Sequence, residues 1–153
     1  MNVIGASPFA NSFFDAGFIK GRIPKIYRER LNTVRKLFDE NKKLDSSLQQ
    51  NVYEYQKVGW TFHAKHLNIN FGENGWYLST IGSSNFSKRS LQKDVECNVF
   101  LFSKSSNLRK KLENEQKNIQ EHLIKLDSER AGQKFMKYGI MDYLLDLFCS
   151  EYL

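Results

Sequence analysis

Two short stretches of the sequence carry side chains that could act on a phosphate group. They are His63-x-Lys65 and Gly82-Ser83-x-Asn85. A neutral imidazole can attack phosphorus or donate a proton to a leaving oxygen. A lysine ammonium and an asparagine amide can stabilise the non-bridging oxygens, on which charge builds up during the reaction. The two stretches therefore predict chemistry on a phosphodiester, with His63, Lys65 and Asn85 as catalytic residues.

The pattern around these residues predicts strands that would position them. Apolar and polar residues alternate over 66–71, which is typical of a strand. If that strand extends back to the motif, His63 and Lys65 project from one face and can converge on a ligand. The Asn-Gly pair at 74–75 then predicts a hairpin, and residues 76–81 form its return strand.

The N-terminal region predicts a strand, a loop and a helix in that order. Residues 1–8 are typical of a short buried strand that runs into a loop. Residues 9–22 mix glycine with four phenylalanines, which favours an irregular loop with buried aromatic anchors. From Pro24, apolar residues repeat at intervals of three and four, so we expect an amphipathic helix of about 20 residues.

The C-terminal region predicts a third strand and two helices. The strand covers 95–102, and a long charged helix follows it and ends near Arg130. A more apolar helical pattern covers 135–148, for which core packing is a better prediction than a bilayer interface. The predicted fold class is therefore α/β, a mixed sheet flanked by helices. We expect a catalytic unit at 1–130 and a helical tail at 131–153.

The amino-acid composition of the chain indicates which classes of partner it could bind. The formal net charge of +6 favours anionic partners such as nucleotides, phospholipid headgroups or nucleic acid, although a solvated basic face explains it equally well. The apolar runs are far shorter than the roughly 20 residues that span a bilayer. Cys97 and Cys149 have no spacing that suits zinc, and we expect neither a metal nor another cofactor.

His63-x-Lys65 and Gly82-Ser83-x-Asn85 resemble the HKD motif of the phospholipase D superfamily, whose members cleave or transfer phosphodiesters through a covalent histidine intermediate. The surrounding sequence narrows the resemblance to the second half of the eukaryotic mitochondrial phosphatidylglycerophosphate synthases, over residues 3 to 121. The stretches that carry it are Trp60-Thr-Phe-His-Ala-Lys, Ile81-Gly-Ser-Ser-Asn-Phe, Arg89-Ser90 with Asp94-Val95-Glu96, and Ala6-Ser7-Pro8 leading to Tyr27.

The resemblance implies transfer of a phosphatidyl group from CDP-diacylglycerol to glycerol 3-phosphate, with release of CMP. In this superfamily two HKD histidines meet, one as the nucleophile and one as the acid and base. His63 matches the second motif, so the resemblance implies the acid/base role for it. It also implies that Gly82, Ser83, Arg89 and Glu96 bind substrate or support the site, with Glu96 orienting the opposite histidine.

The resemblance further implies the location of the protein and its partners. The other HKD set would lie upstream of this chain or on a second chain, so this chain alone is expected to hold an incomplete site. We expect a peripheral protein on an anionic membrane surface, at the mitochondrial inner membrane, and no nucleic-acid partner. The start of the sequence also favours a C-terminal piece of a longer protein.

Two departures from the superfamily pattern keep other hypotheses open. The position for the motif aspartate holds Asn70, and the gap between Lys65 and Gly82 is longer than usual. One alternative is a phosphodiesterase or nuclease that obtains its second histidine by homodimerisation. Another is an inactive remnant that binds phosphate or lipid.

Glu96 could equally be a buried hydrogen-bonded carboxylate. His66 and His122 are expected at the surface, and the basic positions Lys25, Arg28, Arg35 and Lys36 either face an anionic membrane or form a solvated helix side.

Overall fold

A computed structural model describes residues 1–72, 75–85, 87–133 and 139–149 of the chain. It contains both strands and helices, which is the mixed α/β class that the sequence predicts. In chain order, the strands and α-helices are β1 (Asn2–Ala6), α1 (Gly17–Lys20), α2 (Ile23–Leu44), β2 (Asn51–Tyr55), β3 (Asn68–Asn70), β4 (Tyr77–Gly82), α3 (Lys88–Gln92), β5 (Asn98–Ser103), α4 (Ser106–Gln120), β6 (Leu123–Lys125), α5 (Ser128–Ala131) and α6 (Ile140–Cys149). A short 3-10 helix lies between β1 and α1.

The chain forms two compact units. Unit 1 comprises Met1–His63 and Glu121–Leu147, and the main segment of unit 2 is Ala64–Gln120. The predicted division near residue 130 stays a prediction. Within the described ranges, no helix has both the length and the apolar character needed to cross a membrane.

Unit 1 is built on a three-stranded sheet in the order β1-β2-β6, with β1 parallel and β6 antiparallel to β2. Helix α2 begins with a proline in its first turn, as the sequence predicts, and packs on this sheet. A small core forms between them from Phe38, Val52 and Leu126. Gly5 allows this close packing, because a Cβ there would lie 2.5 Å from a methyl group of Leu31 and would require that side chain to move.

A buried ion cluster joins three elements of unit 1. Glu54 on β2 is fully buried, and its carboxylate lies 2.9 Å from Arg28 on α2 and 2.6 Å from Arg130 on α5. Arg130 also donates to the side chain of Gln56, and Arg28 donates to the backbone carbonyl of Arg130. Burial lowers the pKa of Arg28, and the charge of Glu54 opposes that effect. The cluster therefore fixes α5 against the sheet and α2.

Unit 2 is built on an antiparallel sheet in the order β3-β4-β5. Tyr77 on β4 is buried, and its hydroxyl accepts a hydrogen bond of 2.8 Å from Gln116 on α4. Arg109, also on α4, donates to the carbonyl oxygens of Gly72 and Gly75 at 3.0 and 2.6 Å. Helix α4 thus holds both ends of the β3–β4 connection. Residues 73 and 74 of the predicted hairpin lie outside the described residues, as do residue 86 and residues 134–138.

The long charged helix that the sequence predicts to Arg130 is wrong in its second half. Helix α4 ends at Gln120, and Leu123–Lys125 is a strand that pairs with β2. Strand β2 itself was not predicted from the sequence. The leucines at 123 and 126 fit a helical interval, but pairing with β2 and burial in the core of unit 1 decide their structure.

Other sequence predictions were wrong about burial. Strand β1 exists as predicted but is partly exposed, and among the phenylalanines of the 9–22 segment Phe9, Phe13 and Phe18 are exposed rather than buried. The predicted tail helix is present as α6, yet apolar side chains from Ile140 to Leu147 lie at the surface, so its predicted core packing is wrong. The acids of α6 face the body of unit 1, where they pair with arginines of unit 1.

Candidate active site

The segment that carries His63 is anchored to the sheet of unit 1. The ring of Phe62 stacks on Tyr55, with centroids 4.7 Å apart and planes 24° apart. The amide of Phe62 donates a 2.8 Å hydrogen bond to the carbonyl of Ala10. Tyr55 is itself buried, and its ring makes a T-shaped contact with the ring of His122. The chain therefore presents an exposed His63 imidazole directly after a fixed aromatic residue.

The predicted strand around the motif is shorter than expected. Strand β3 covers Asn68–Asn70, and residues 61–67 belong to no strand. The prediction that strand alternation directs His63 and Lys65 to one face is therefore wrong. The hydrogen bonds between this segment and β4 begin at Leu67. The amide of Leu67 donates to the hydroxyl of Thr80, and the carbonyl of Leu67 accepts from the amide of Thr80, both at 2.9 Å.

Gly82 ends β4 at a point where two strands approach closely. A Cβ at this position would lie 2.0 Å from the side-chain oxygen of Asn98 and 2.5 Å from the carbonyl of Cys97. Only glycine fits without displacing backbone on the neighbouring strand. The sequence predicts a tight turn here, and the close approach of the two strands is an additional reason for glycine. The next residue, Ser83, exchanges backbone and side-chain hydrogen bonds with Cys97.

Ser83, Asn85, Ser90 and Glu96 form one hydrogen-bonded network in unit 2. The Ser83 hydroxyl donates to the Glu96 carboxylate and accepts a 3.1 Å hydrogen bond from the amide of Cys97. The hydroxyl of Ser90 also hydrogen-bonds the Glu96 carboxylate and accepts a 3.1 Å hydrogen bond from the amide of Asn85. The network thus closes the Gly-Ser-Ser-Asn turn around a single carboxylate.

The electrostatics of this network favour an ionised Glu96. Hydrogen bonds from Ser83 and then Ser90 lower the pKa of Glu96, and the positive charges of Lys65 and Arg89 act in the same direction. Partial burial lowers the pKa of Lys65, while Glu96 opposes that shift. Arg89 also pairs with Asp94 at 2.9 Å. Unit 2 therefore brings together four of the predicted site residues, Lys65, Ser83, Arg89 and Glu96, and joins Asn85 to them through Ser90.

Some details of this region differ from the sequence predictions. Glu96 is half-buried and precedes β5, which begins at Asn98, so it does not lie on the strand as expected. Asn70, at the position of the motif aspartate, uses its side-chain oxygen to accept a 3.1 Å hydrogen bond from Gly72. Ser90 belongs to this network but was not predicted from the sequence. A sequence feature that could have indicated Ser90 is Ser87, three positions earlier. Ser87 caps the N-terminus of α3 and so places Ser90 in the first turn of that helix.

The positive charges of Lys65 and Arg89 beside this turn suit binding of a phosphate, which carries negative charge. Among the residues described in the structure, no group of three or more His, Cys, Asp and Glu side chains is placed to hold a metal ion.

Comparison with protein families assigns residues 29–136 to the family described as cardiolipin synthase, PLD-like domain. This match covers more than half of the chain and includes both motif stretches. The chain belongs to this family. The phospholipase D resemblance that the motif predicts is therefore confirmed, and the cardiolipin synthase-type phospholipase D-like domain accounts for the mixed α/β architecture.

Relatives of this phospholipase D-like domain carry one recurring name. The chain is 34% identical over 118 residues to the mouse mitochondrial CDP-diacylglycerol–glycerol-3-phosphate 3-phosphatidyltransferase, and the match covers 76% of this chain and 21% of that protein. The corresponding enzyme of Saccharomyces pastorianus is 30% identical over 126 residues, which are 74% of this chain and 24% of the relative. The chain thus spans about a fifth to a quarter of the length of these relatives.

A solved structure has the same fold. The crystal structure of phosphatidylserine synthase from Haemophilus influenzae matches with a TM-score of 0.71 and 22% sequence identity, over 97% of this chain and 33% of that protein. Almost the whole phospholipase D-like domain therefore corresponds to about a third of the bacterial protein. This likeness supports the predicted fold class and concerns the fold alone.

Proposed function

We propose that this chain is part of a phosphatidyltransferase that moves a phosphatidyl group from CDP-diacylglycerol to glycerol 3-phosphate and releases CMP. The observation that carries the proposal is the family membership together with the shared name of the relatives, which are CDP-diacylglycerol–glycerol-3-phosphate 3-phosphatidyltransferases. The motif residues of unit 2 support it, because they form a compact network suited to a phosphate group.

In the proposed reaction, a histidine of another HKD set attacks the phosphorus that bears the diacylglycerol. A nitrogen–phosphorus bond forms as the bond to CMP breaks, and His63 protonates the departing CMP oxygen. His63 then removes the proton from a hydroxyl of glycerol 3-phosphate. That oxygen attacks phosphorus, the nitrogen–phosphorus bond breaks, and the first histidine is regenerated. The exposed position of His63 after the anchored Phe62 supports this role.

Lys65 and Arg89 supply positive charge toward the non-bridging oxygens in this proposal, and Asn85 donates hydrogen bonds to them. Ser83 and Gly82 shape the turn that carries Asn85. Glu96 keeps the serine hydroxyls oriented through the hydrogen bonds that they donate to it, and orients the histidine of the other set. Every bond that forms or breaks in this scheme involves the two substrates and histidine nitrogen.

The proposed partners are lipid and a second catalytic half. CDP-diacylglycerol is a membrane lipid, so we expect a peripheral protein on an anionic membrane surface. The mouse relative is named as mitochondrial, which supports a mitochondrial location and, as the finer proposal, the inner membrane. The second HKD half would come from the same protein or from another chain.

The decisive experiment measures phosphatidyl transfer by the protein as its gene encodes it, with His63→Ala and His66→Ala compared. We expect His63→Ala to lower the rate by about a thousandfold, because it removes the acid and base. His66 is an exposed histidine three positions away, and its variant should keep the rate within about twofold of the unaltered protein. Full activity of the His63→Ala variant would refute the catalytic assignment.

A further inference from the structure

Helix α6 has the reverse of the usual arrangement of an amphipathic helix. Its two acids lie against the body of unit 1, where Asp142 is 2% exposed and accepts a 2.9 Å hydrogen bond from Arg22. One turn later, Asp146 pairs with Arg30 at 2.6 Å. A surface helix of a globular protein normally turns its apolar stripe to the core and its charges to water. Here ion pairs attach the helix, and its apolar stripe is left outside.

The outward stripe is apolar along the length of the helix. Ile140 is 83% exposed and Leu147 60%, and Leu144 lies between them at helical spacing on the side opposite the two acids. Neighbouring exposed side chains widen it on both sides. We define the outer stripe of α6 as Ile140, Met141, Tyr143, Leu144 and Leu147.

Arg22 links the acidic side of α6 to a second exposed apolar feature of unit 1. Its guanidinium, which pairs with Asp142, also lies 4.8 Å from the ring centroid of Phe18 on α1. Phe18 is 75% exposed, and Ile19 beside it is exposed as well. Phe18 lines an open cavity of about 540 Å³, together with Phe14, two prolines, Asp15, Arg22 and Lys25.

The charges around these features select a negatively charged apolar partner. Arginines neutralise both acids of α6, while Lys20 and Lys25 add positive charge next to Phe18. The chain as a whole carries +6. A water-exposed apolar stripe with basic neighbours is the composition of an interfacial membrane helix. At ten residues α6 is about 15 Å long, so it can lie in a bilayer interface and cannot cross one.

We infer that unit 1 docks on an anionic phospholipid bilayer through the outer stripe of α6 together with Phe18 and Ile19, with α6 lying in the plane of the interface. This inference rests on the proposed function, whose phosphatidyl donor is a bilayer lipid, and it names the surface that meets the bilayer. The four residues of α2 that the sequence suggested as membrane-facing are a weaker basis, since Arg28, Arg35 and Lys36 all pair with acids.

The test is binding of the chain to vesicles of phosphatidylcholine mixed with phosphatidylglycerol, compared with phosphatidylcholine alone. We expect binding to the anionic vesicles to exceed binding to the neutral ones and to weaken by about tenfold or more in Ile140→Asp/Leu144→Asp, because two apolar side chains leave the interface. The matched control is Val58→Asp, an exposed residue of unit 1 outside the proposed surface, which should weaken it much less. Circular dichroism checks that the variants are folded.

A depth measurement gives an independent reading. In Tyr143→Trp, phospholipids brominated in their acyl chains should quench the introduced indole more than they quench the native indoles of the unaltered chain. Equal binding of Ile140→Asp/Leu144→Asp and Val58→Asp would overturn the inference, and so would absent binding to anionic vesicles, which would point to a protein partner. His63→Ala separates the two proposals, since it should lose transfer and bind vesicles normally.

Discussion

At the residue scale, Glu96 is the point on which the hydrogen bonds of unit 2 converge. It accepts from Ser83 and Ser90, and Lys65 and Arg89 lie near enough to favour its charge. A carboxylate with these partners is ionised over a wider pH range than a free one. Its charge in turn fixes the two serine hydroxyls, so that the Ser90 oxygen is available to the amide of Asn85. The turn is therefore organised before any ligand binds.

We expect Ser83→Ala to raise the pKa of Glu96 toward its ordinary value, because the largest cause of the lowered pKa is removed. A lowered folded-state pKa stabilises the fold above the unfolded-state pKa, and this stabilisation is lost as the pH falls through the folded-state pKa. Ser83→Ala should therefore reduce the loss of folding stability that protonation of Glu96 causes at low pH. Carboxyl carbon NMR titration measures the pKa directly.

The matched control for that titration is Ser47→Ala. The Ser47 hydroxyl donates to Asp45 at 2.6 Å and lowers the pKa of that carboxyl in the same way, far along the chain from the motif. Ser47→Ala should raise the pKa of Asp45 and leave Glu96 unchanged. If Ser83→Ala leaves the titration of Glu96 unaltered, the hydrogen bond does not govern its ionisation.

The hydrogen bonds that join the predicted site residues could not be predicted from the sequence, and the catalytic roles of these residues stay a prediction. His63, Lys65 and Asn85 follow from residue types and spacing, and the family comparison covers the same motif. The role of Ser90 did not follow, because its hydrogen bonds reach backward to Asn85 and forward to Glu96, and their geometry depends on where α3 begins. Local patterns carry no information on such tertiary hydrogen bonds.

At the element scale, helix α2 and four of the six strands in the described residues were predictable, whereas β2, β6 and the end of α4 were not. Helix α2 follows from its apolar period and Pro24. Strand β6 has three residues and sits where a helical interval continues, so its pairing with β2 overrides the local pattern. Helix α6 was found from its periodicity, but the inward direction of its acids depends on Arg22 and Arg30, which lie more than a hundred residues earlier in the chain.

The buried ion cluster is the element-scale feature with the largest expected effect on stability. We expect Glu54→Gln to lower the free energy of unfolding by about 3 kcal/mol, because Arg28 and Arg130 lose the charge that compensates them. The matched control is Asp39→Asn, which removes an exposed partner of Arg35 and should cost less than about 1 kcal/mol. Urea denaturation of both variants gives the comparison, and equal losses would contradict the role of the cluster.

At the scale of the whole molecule, the proposed reaction uses two sets of HKD residues, and this sequence carries one. His63 is the one histidine followed two positions later by lysine. The chain also spans about a fifth of the mouse relative, so a complete site is expected to need residues beyond this sequence. A second copy of the chain is the other source of a second set, and the two sources differ in how activity depends on concentration.

We expect the 153-residue chain alone to turn over CDP-diacylglycerol no faster than its His63→Ala variant at every concentration at which sedimentation shows a monomer. One imidazole cannot be both the nucleophile and the acid that protonates the leaving oxygen in the same step. A homodimeric site behaves differently: its rate rises with the square of the chain concentration while dimers are scarce, and it vanishes in His63→Ala. Turnover of that kind would contradict the need for a separate HKD half, because two copies of His63 would then meet in one site.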